Sequence, residues 1–250
     1  MGTVRLGTPA KVDCDVNEAK LVVAGFCFGK TELRWGELTK LEVGGDITHR
    51  KRPRWAYRIY DCVPASEGSE LTIHDVLLTA GLDSRINSES ASGIYAVLDE
   101  VNEALGAIPQ ATKFWDFPTD DLRRVPSESS LAWNVWRAWW LLSGVYNVNT
   151  ATSHKILHHK RPWQFPLLDS ETQACYTDRN STWAEIAGEL RRHDNEFSEL
   201  ESWFADLAKQ HDGVSLTRLR LHDILLWCRA TGQWDGARTA GESVTAVDGS

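Results

Sequence analysis

Between Asn147 and Arg161 the chain reads Asn-Val-Asn-Thr-Ala-Thr-Ser-His-Lys-Ile-Leu-His-His-Lys-Arg, a segment dense in groups that can hold an anion. On a helix opening at Thr150, His154 and His158 lie four residues apart and share a face, with Lys155 and His159 on the neighbouring one. Thr150 and Thr152 stand at the helix start, where free amides and the helix dipole favour negative charge. Asn147 and Asn149 supply the turn before it, and Lys160 and Arg161 follow. Together these residues suit a clamp on backbone phosphate. The charge map agrees. Ser129 to Leu168 contains no Asp or Glu and carries a formal +4, inside a chain of net charge -8. A basic island on an acidic protein focuses a local field. The competing reading is a solvated basic helix in which acids are absent by chance. His158 and His159 are adjacent and face different ways, no third ligand is local, and no His-Glu-x-x-His occurs. Neither a metal nor another cofactor is expected.

Other chemistries are excluded by their missing motifs. There is no Gly-x-Gly-x-x-Gly, no phosphate-binding P-loop and no Gly-x-Ser-x-Gly elbow. Phe28-Gly29-Lys30-Thr31 ends like a P-loop, but Gly25 lies too close upstream. The five cysteines are scattered and form no Cys-x-x-Cys, which suits the reduced thiols of a cytoplasmic protein. Met1 to Lys11 has no apolar signal core, and no apolar run is long enough to span a bilayer, so no membrane association is expected. The chain has 250 residues, 42% hydrophobic and 25% charged, which is ordinary for a globular protein with a sizeable core.

The elements that must position these groups are mainly helical. Residues 1–70 form the exception, read as a small β-containing N-terminal unit. In it Leu21 to Phe28 looks like a buried strand, Arg54 to Asp61 alternates like a strand, and Thr39 to Thr48 holds a Gly44-Gly45 turn between strands. From Thr72 onward helical periodicity takes over, and residues 71–235 read as one helical domain. Ser130 opens a helix ended by Gly144. There Trp133, Trp136 and Trp140, with Val135, Trp139 and Leu142, cover nearly the whole circumference. A helix apolar all round is a buried one, and base stacking is the alternative use of its tryptophans. Further helices run from Ser181 or Thr182, from Asp194 to Gln210 and from Leu219 to Arg229. The small, polar residues 236–250 read as a disordered tail.

Three stretches carry a family resemblance. They are Asn147–Pro162 with Phe165-Pro166-Leu167-Leu168-Asp169, Leu71–Leu78, and Val214–Trp227. They resemble a mainly actinobacterial domain family of unknown function. The hairpin-to-aspartate region is in turn similar to the helix-hairpin-helix DNA glycosylases of the 8-oxoguanine type. That resemblance implies a helical glycosylase-like scaffold, a hairpin at Asn147–Asn149 that holds DNA phosphate through backbone amides, and Asp169 as the catalytic carboxylate. It further implies a pocket for a flipped base, with Trp136 or Trp163 stacking on it. Asparagines replace the family's hairpin glycines, and Ala151 stands where bifunctional enzymes carry a nucleophilic lysine, which disfavours a Schiff-base mechanism. Read without the resemblance, Asp169 is a helix N-cap for the segment from Ser170.

Three functions remain open on sequence. One is a monofunctional DNA glycosylase acting on a flipped base. The second is a DNA-binding protein without catalysis on the same scaffold. The third is a fold relative that has left nucleic acid, serving as a protein-interaction module or a small-molecule enzyme, as the net charge would suit.

Overall fold

The computed structural model describes residues 2–29, 41–43, 46–48, 56–58, 60–82, 84–178 and 180–246. It is mainly helical, with a two-stranded antiparallel sheet at the N-terminus. Strands β1 (Thr3–Leu6) and β2 (Val12–Asp15) pair with Val4 opposite Cys14 and Leu6 opposite Val12, so one face of the ribbon is apolar and buried. Asp15 then accepts from the Glu18 amide at 2.9 Å and caps helix α1 (Val16–Phe28). The run Leu21 to Phe28 is therefore helical, not a strand. Its buried residues surround the axis, and a wholly buried segment has no period by which a helix differs from a strand.

A second ladder pairs β3 (Leu41–Val43) with β4 (Asp46–Thr48), the hairpin expected there; its Gly44-Gly45 turn lies outside the described residues. The strand expected over Arg54 to Asp61 is a 3-10 turn at Ala56–Arg58, while Trp55 and Ile59 lie outside the described residues. Tyr57 fixes that turn. Its hydroxyl donates to the Val214 carbonyl at 2.6 Å and accepts from the Val214 amide at 2.8 Å.

The helical part follows in order: α2 (Ile73–Leu78), α3 (Ser88–Ala96), α4 (Leu98–Ala107), α5 (Thr119–Leu122), α6 (Trp133–Ser143), α7 (Thr150–Lys160), α8 (Ser170–Gln173), α9 (Thr182–Arg192), α10 (Asp194–Gln210), α11 (Arg218–Ala230) and α12 (Trp234–Ala246). The last of these corrects the sequence reading of a disordered tail over residues 236–246; residues 247–250 lie outside the described residues. Small residues let α12 close onto α1: a side chain on Gly25 would run into the Ala237 carbonyl, and one on Gly241 into the Leu21 carbonyl. What looks in composition like a low-complexity tail is a close-packed helix face.

The buried hydrophobic residues form one cluster from Val4 to Val244. Polar staples on α11 cross it. Arg218 bonds Ser198, Glu201 and Asp194, and Arg220 holds Asp61 at 2.8 and 2.9 Å and also Asp223. His222 meets Glu189 at 2.8 Å, and Tyr176 donates to the same oxygen at 2.9 Å. Glu189 in turn accepts from the Gly7 amide, tying the N-terminal ribbon to α9 and α11. Burial pushes the Asp223 carboxyl up to about 7.

Candidate functional site

Helices α6 and α7 are joined through residues 144–149, where Val145 and Val148 are buried and Asn147 takes the left-handed conformation at φ 61°. Asparagine pays less for that geometry than most residues. Asn149 caps α7, its side chain accepting from the Thr152 amide at 2.8 Å. The amides of Thr150 and Ala151 precede the helix's own ladder, and no described backbone group accepts from them.

The basic residues of α7 do not form the solvated face that their sequence suggests. His154 is 1% exposed; its Nδ1 donates to the Thr150 carbonyl at 2.8 Å and its Nε2 accepts from Trp183 Nε1 at 3.0 Å. Both ring nitrogens are thus used in the neutral form, and burial pushes the imidazole down to about 4. His158 donates from Nδ1 to the Phe165 carbonyl at 2.7 Å, and burial pushes it to about 3. Lys155 reaches the Leu82 carbonyl at 2.5 Å, His159 the Val63 carbonyl at 3.0 Å and Arg161 the Ser69 carbonyl at 3.1 Å. Lys160, 7% exposed, donates to the Ser66 carbonyl and hydroxyl and lies 3.5 Å from Asp75. Burial alone would push Asp75 up, yet hydrogen bonds from Ser66 and Thr72 and the Lys160 ammonium hold it below the usual carboxylate range. The segment 63–82 thus wraps α7 and takes up its polar ends.

Beside the start of α7 opens a cleft of about 580 Å³, within the range of small-molecule sites. Thr150 and His154 line it, as does Trp136. Trp139 and Trp183 also line it, their rings 5.7 Å apart at 67°, and the Trp139 indole nitrogen is buried with no acceptor among the described residues. Arg123 and Arg124, both exposed, stand on the lining, with Asp121. They are held there by α5: Arg191 on α9 donates to Thr119 at 2.6 Å, and Ser130 donates to Asp121 at 2.6 Å. Gln173 and Asn180 add amide groups.

Of the residues singled out on sequence, the structure brings Trp136, Thr150 and His154 together at this cleft, next to the Asn147–Asn149 hairpin. Trp136 lies in an offset stack between Trp133 at 5.3 Å and Trp140 at 5.8 Å, which covers part of its ring. Thr152 is buried. Trp163 lies elsewhere, 40% exposed, 6.1 Å from Trp115 and 5.6 Å from the Lys113 ammonium. Asp169 caps α8, its Oδ1 accepting from the Glu171 and Thr172 amides at 3.0 and 2.9 Å; its neighbour Leu168 lines the cleft and Asp169 does not. Arg123, Arg124, Trp139 and Trp183 were not singled out. They come from separate elements, and only the pairing of two arginines after an acidic connector could have pointed to them.

A model for a family of unknown function, DUF6308, matches residues 43–230. The chain belongs to this family. No protein of curated function and no solved structure matches it. The family match spans the hairpin, the cleft and the α11 staples together. It covers all three stretches on which the family resemblance was read.

Proposed function

We propose that this protein binds nucleic acid, receiving one unstacked nucleotide in the cleft between α5, α6, α7 and α9. The observation that carries the reading is the combination in one cleft of tryptophan walls, the start of α7 and two exposed arginines. A base is a flat ring that packs against indoles and offers acceptors to a buried N–H such as that of Trp139. Its phosphates are met by the free amides of Thr150 and Ala151 and by Arg123 and Arg124. The likeness of the hairpin region to helix-hairpin-helix glycosylases supports the same use of those amides. Base excision draws less support. It needs a carboxylate at the base, and Asp169 is engaged as a cap, so binding without catalysis is the form that the geometry favours.

The test is a polarisation titration of a labelled duplex carrying one unpaired base, at several salt concentrations. With two arginines at phosphate, log K should fall with log salt at a slope of roughly -2. Reversing both charges, Arg123→Glu with Arg124→Glu, should abolish binding. Binding that ignores this reversal overturns the reading.

A further inference from the structure

Helix α7 borders a second cavity, which shares no lining residue with the cleft. It measures about 290 Å³ and opens between the last turns of α7, residues 60–65 and the residues 215–217 that lead into α11. His158 lines it. The Nδ1 of that ring is fixed as a donor, because its partner is the Phe165 carbonyl, so Nε2 carries a lone pair. No described residue donates to Nε2, and it is not sealed from solvent. A side chain only 3% exposed thus keeps an open acceptor, and the cavity is the space it lines. The groups around it are already matched. Arg220 holds both oxygens of Asp61 at 2.8 and 2.9 Å and also bonds Asp223, and Lys160 lies 3.5 Å from Asp75. His159 donates from Nε2 to the Val63 carbonyl. Among the described residues no three His, Cys, Asp or Glu side chains are grouped to hold a metal ion.

We propose that this cavity binds a small neutral ring carrying a hydroxyl or a ring N–H, which donates to His158 Nε2. The site is independent of the nucleotide reading of the cleft. Three observations select that ligand. The first is the lone pair. A carboxylate or phosphate would set its own lone pairs against it, whereas an O–H or N–H satisfies it. The second is charge. The cations beside the cavity already hold their acids, and the acids their cations, so a buried charge of either sign would find no free counter-charge. The third is size and wall chemistry. The volume lies just under the range of drug-sized sites and suits one substituted ring, and Tyr60, Val63, Pro64, Pro162 and Leu216 give it apolar walls.

Fluorine NMR titration of the full chain at neutral pH with para-fluorophenol, fluorobenzene, para-fluorobenzoate and para-fluorobenzylamine tests this. The phenol should saturate a site. Fluorobenzene, the same ring without a donor, should bind roughly two- to tenfold more weakly, the factor that one net hydrogen bond supplies. The two charged rings should bind more weakly still. Ala65→Leu fills the cavity from its lining without removing a hydrogen bond and should abolish binding. His158→Asn keeps a donor for the Phe165 carbonyl but does not reach the position of Nε2, so it should erase the preference for the phenol over fluorobenzene. That variant decides the matter if Ala65→Leu fails to fold. Absence of saturable phenol binding, equal affinity for phenol and fluorobenzene, tightest binding of a charged ring, or binding left intact by Ala65→Leu each overturns the proposal.

Discussion

Two buried neutral histidines make the fold sensitive to acid, and the size of the effect follows from their surroundings. His154 and His158 titrate near 6.5 in an unfolded chain but are held near 4 and 3 in the folded one, chiefly by burial. Between pH 7 and 5 the unfolded chain takes up these two protons and the folded chain does not. A depressed histidine thus costs no stability above its unfolded pKa and costs increasingly as pH falls below it. At pH 5 the solution is about 1.5 pH units below the unfolded value of each ring and still above the folded one, so each removes roughly 2 kcal/mol, and the pair roughly 4. Asp223 works in the opposite sense. Burial raises its carboxyl above the ordinary carboxylate range, so as pH falls the folded chain gains that proton before the unfolded chain does, which offsets part of the loss. Urea unfolding at fixed ionic strength, at pH 7 and pH 5, measures the sum. His154→Gln, which keeps an acceptor for Trp183, should shrink the acid-induced loss by about 2 kcal/mol relative to wild type. Asp223→Asn should enlarge it. Comparing variant with wild type isolates each group from the other titrating side chains. If His154→Gln loses as much stability between the two pH values as wild type, the buried neutral ring is not the cause.

Other perturbations follow from single contacts. Gly25→Ala and Gly241→Ala drive a methyl into a backbone carbonyl across the α1–α12 crossing and should each cost more than about 3 kcal/mol by chemical denaturation. Gly188→Ala, in the middle of α9 with nothing near its open side, should instead stabilise by about 0.5–1 kcal/mol. Asp169→Ala should cost about 1 kcal/mol as a lost cap, whereas Asp169→Asn, also a good cap, should be close to neutral both in stability and in binding to the unpaired-base duplex. A large loss of binding in the asparagine variant would return Asp169 to the cleft chemistry.

Much of the helical part was legible. Gly144 closes α6, the start of α9 falls at the expected Ser181 or Thr182, and Asp194 to Gln210 is one helix as its apolar spacing requires. These elements each bury one stripe and leave a period to read. Helix α1 buries its circumference, so its period vanishes, and α12 packs through alanine and glycine, which hydrophobicity hardly registers. The tryptophan spacing on α6 was visible but its direction was not, because an outward stack and a core stripe have the same period. At the cleft, Thr150, His154 and Trp136 could be named, while Trp139, Trp183 and the two arginines converge only through tertiary packing.

The most instructive difference concerns charge. A sequence counts cations but cannot tell which are spent, and those of α7 are spent on the carbonyls of Val63, Ser66, Ser69 and Leu82, neutral groups without any charge signature. The cations at the cleft are therefore Arg124 and Arg123, the latter 3.9 Å from Asp120, with Asp121 on the same lining, and not those of the basic run. Two charge reversals separate these sources. Reversing Lys155, Lys160 and Arg161 to glutamate removes donors from the wrap and strands Asp75 without its ammonium; losing one partner of a buried pair costs about 3–5 kcal/mol, so the melting temperature should collapse. Reversing Arg123 and Arg124, both exposed, should leave the melting temperature within a degree or two and remove binding. A triple variant that keeps its melting temperature but loses nucleic acid would make α7 the phosphate clamp after all, and would require the wrap of residues 63–82 to open in solution.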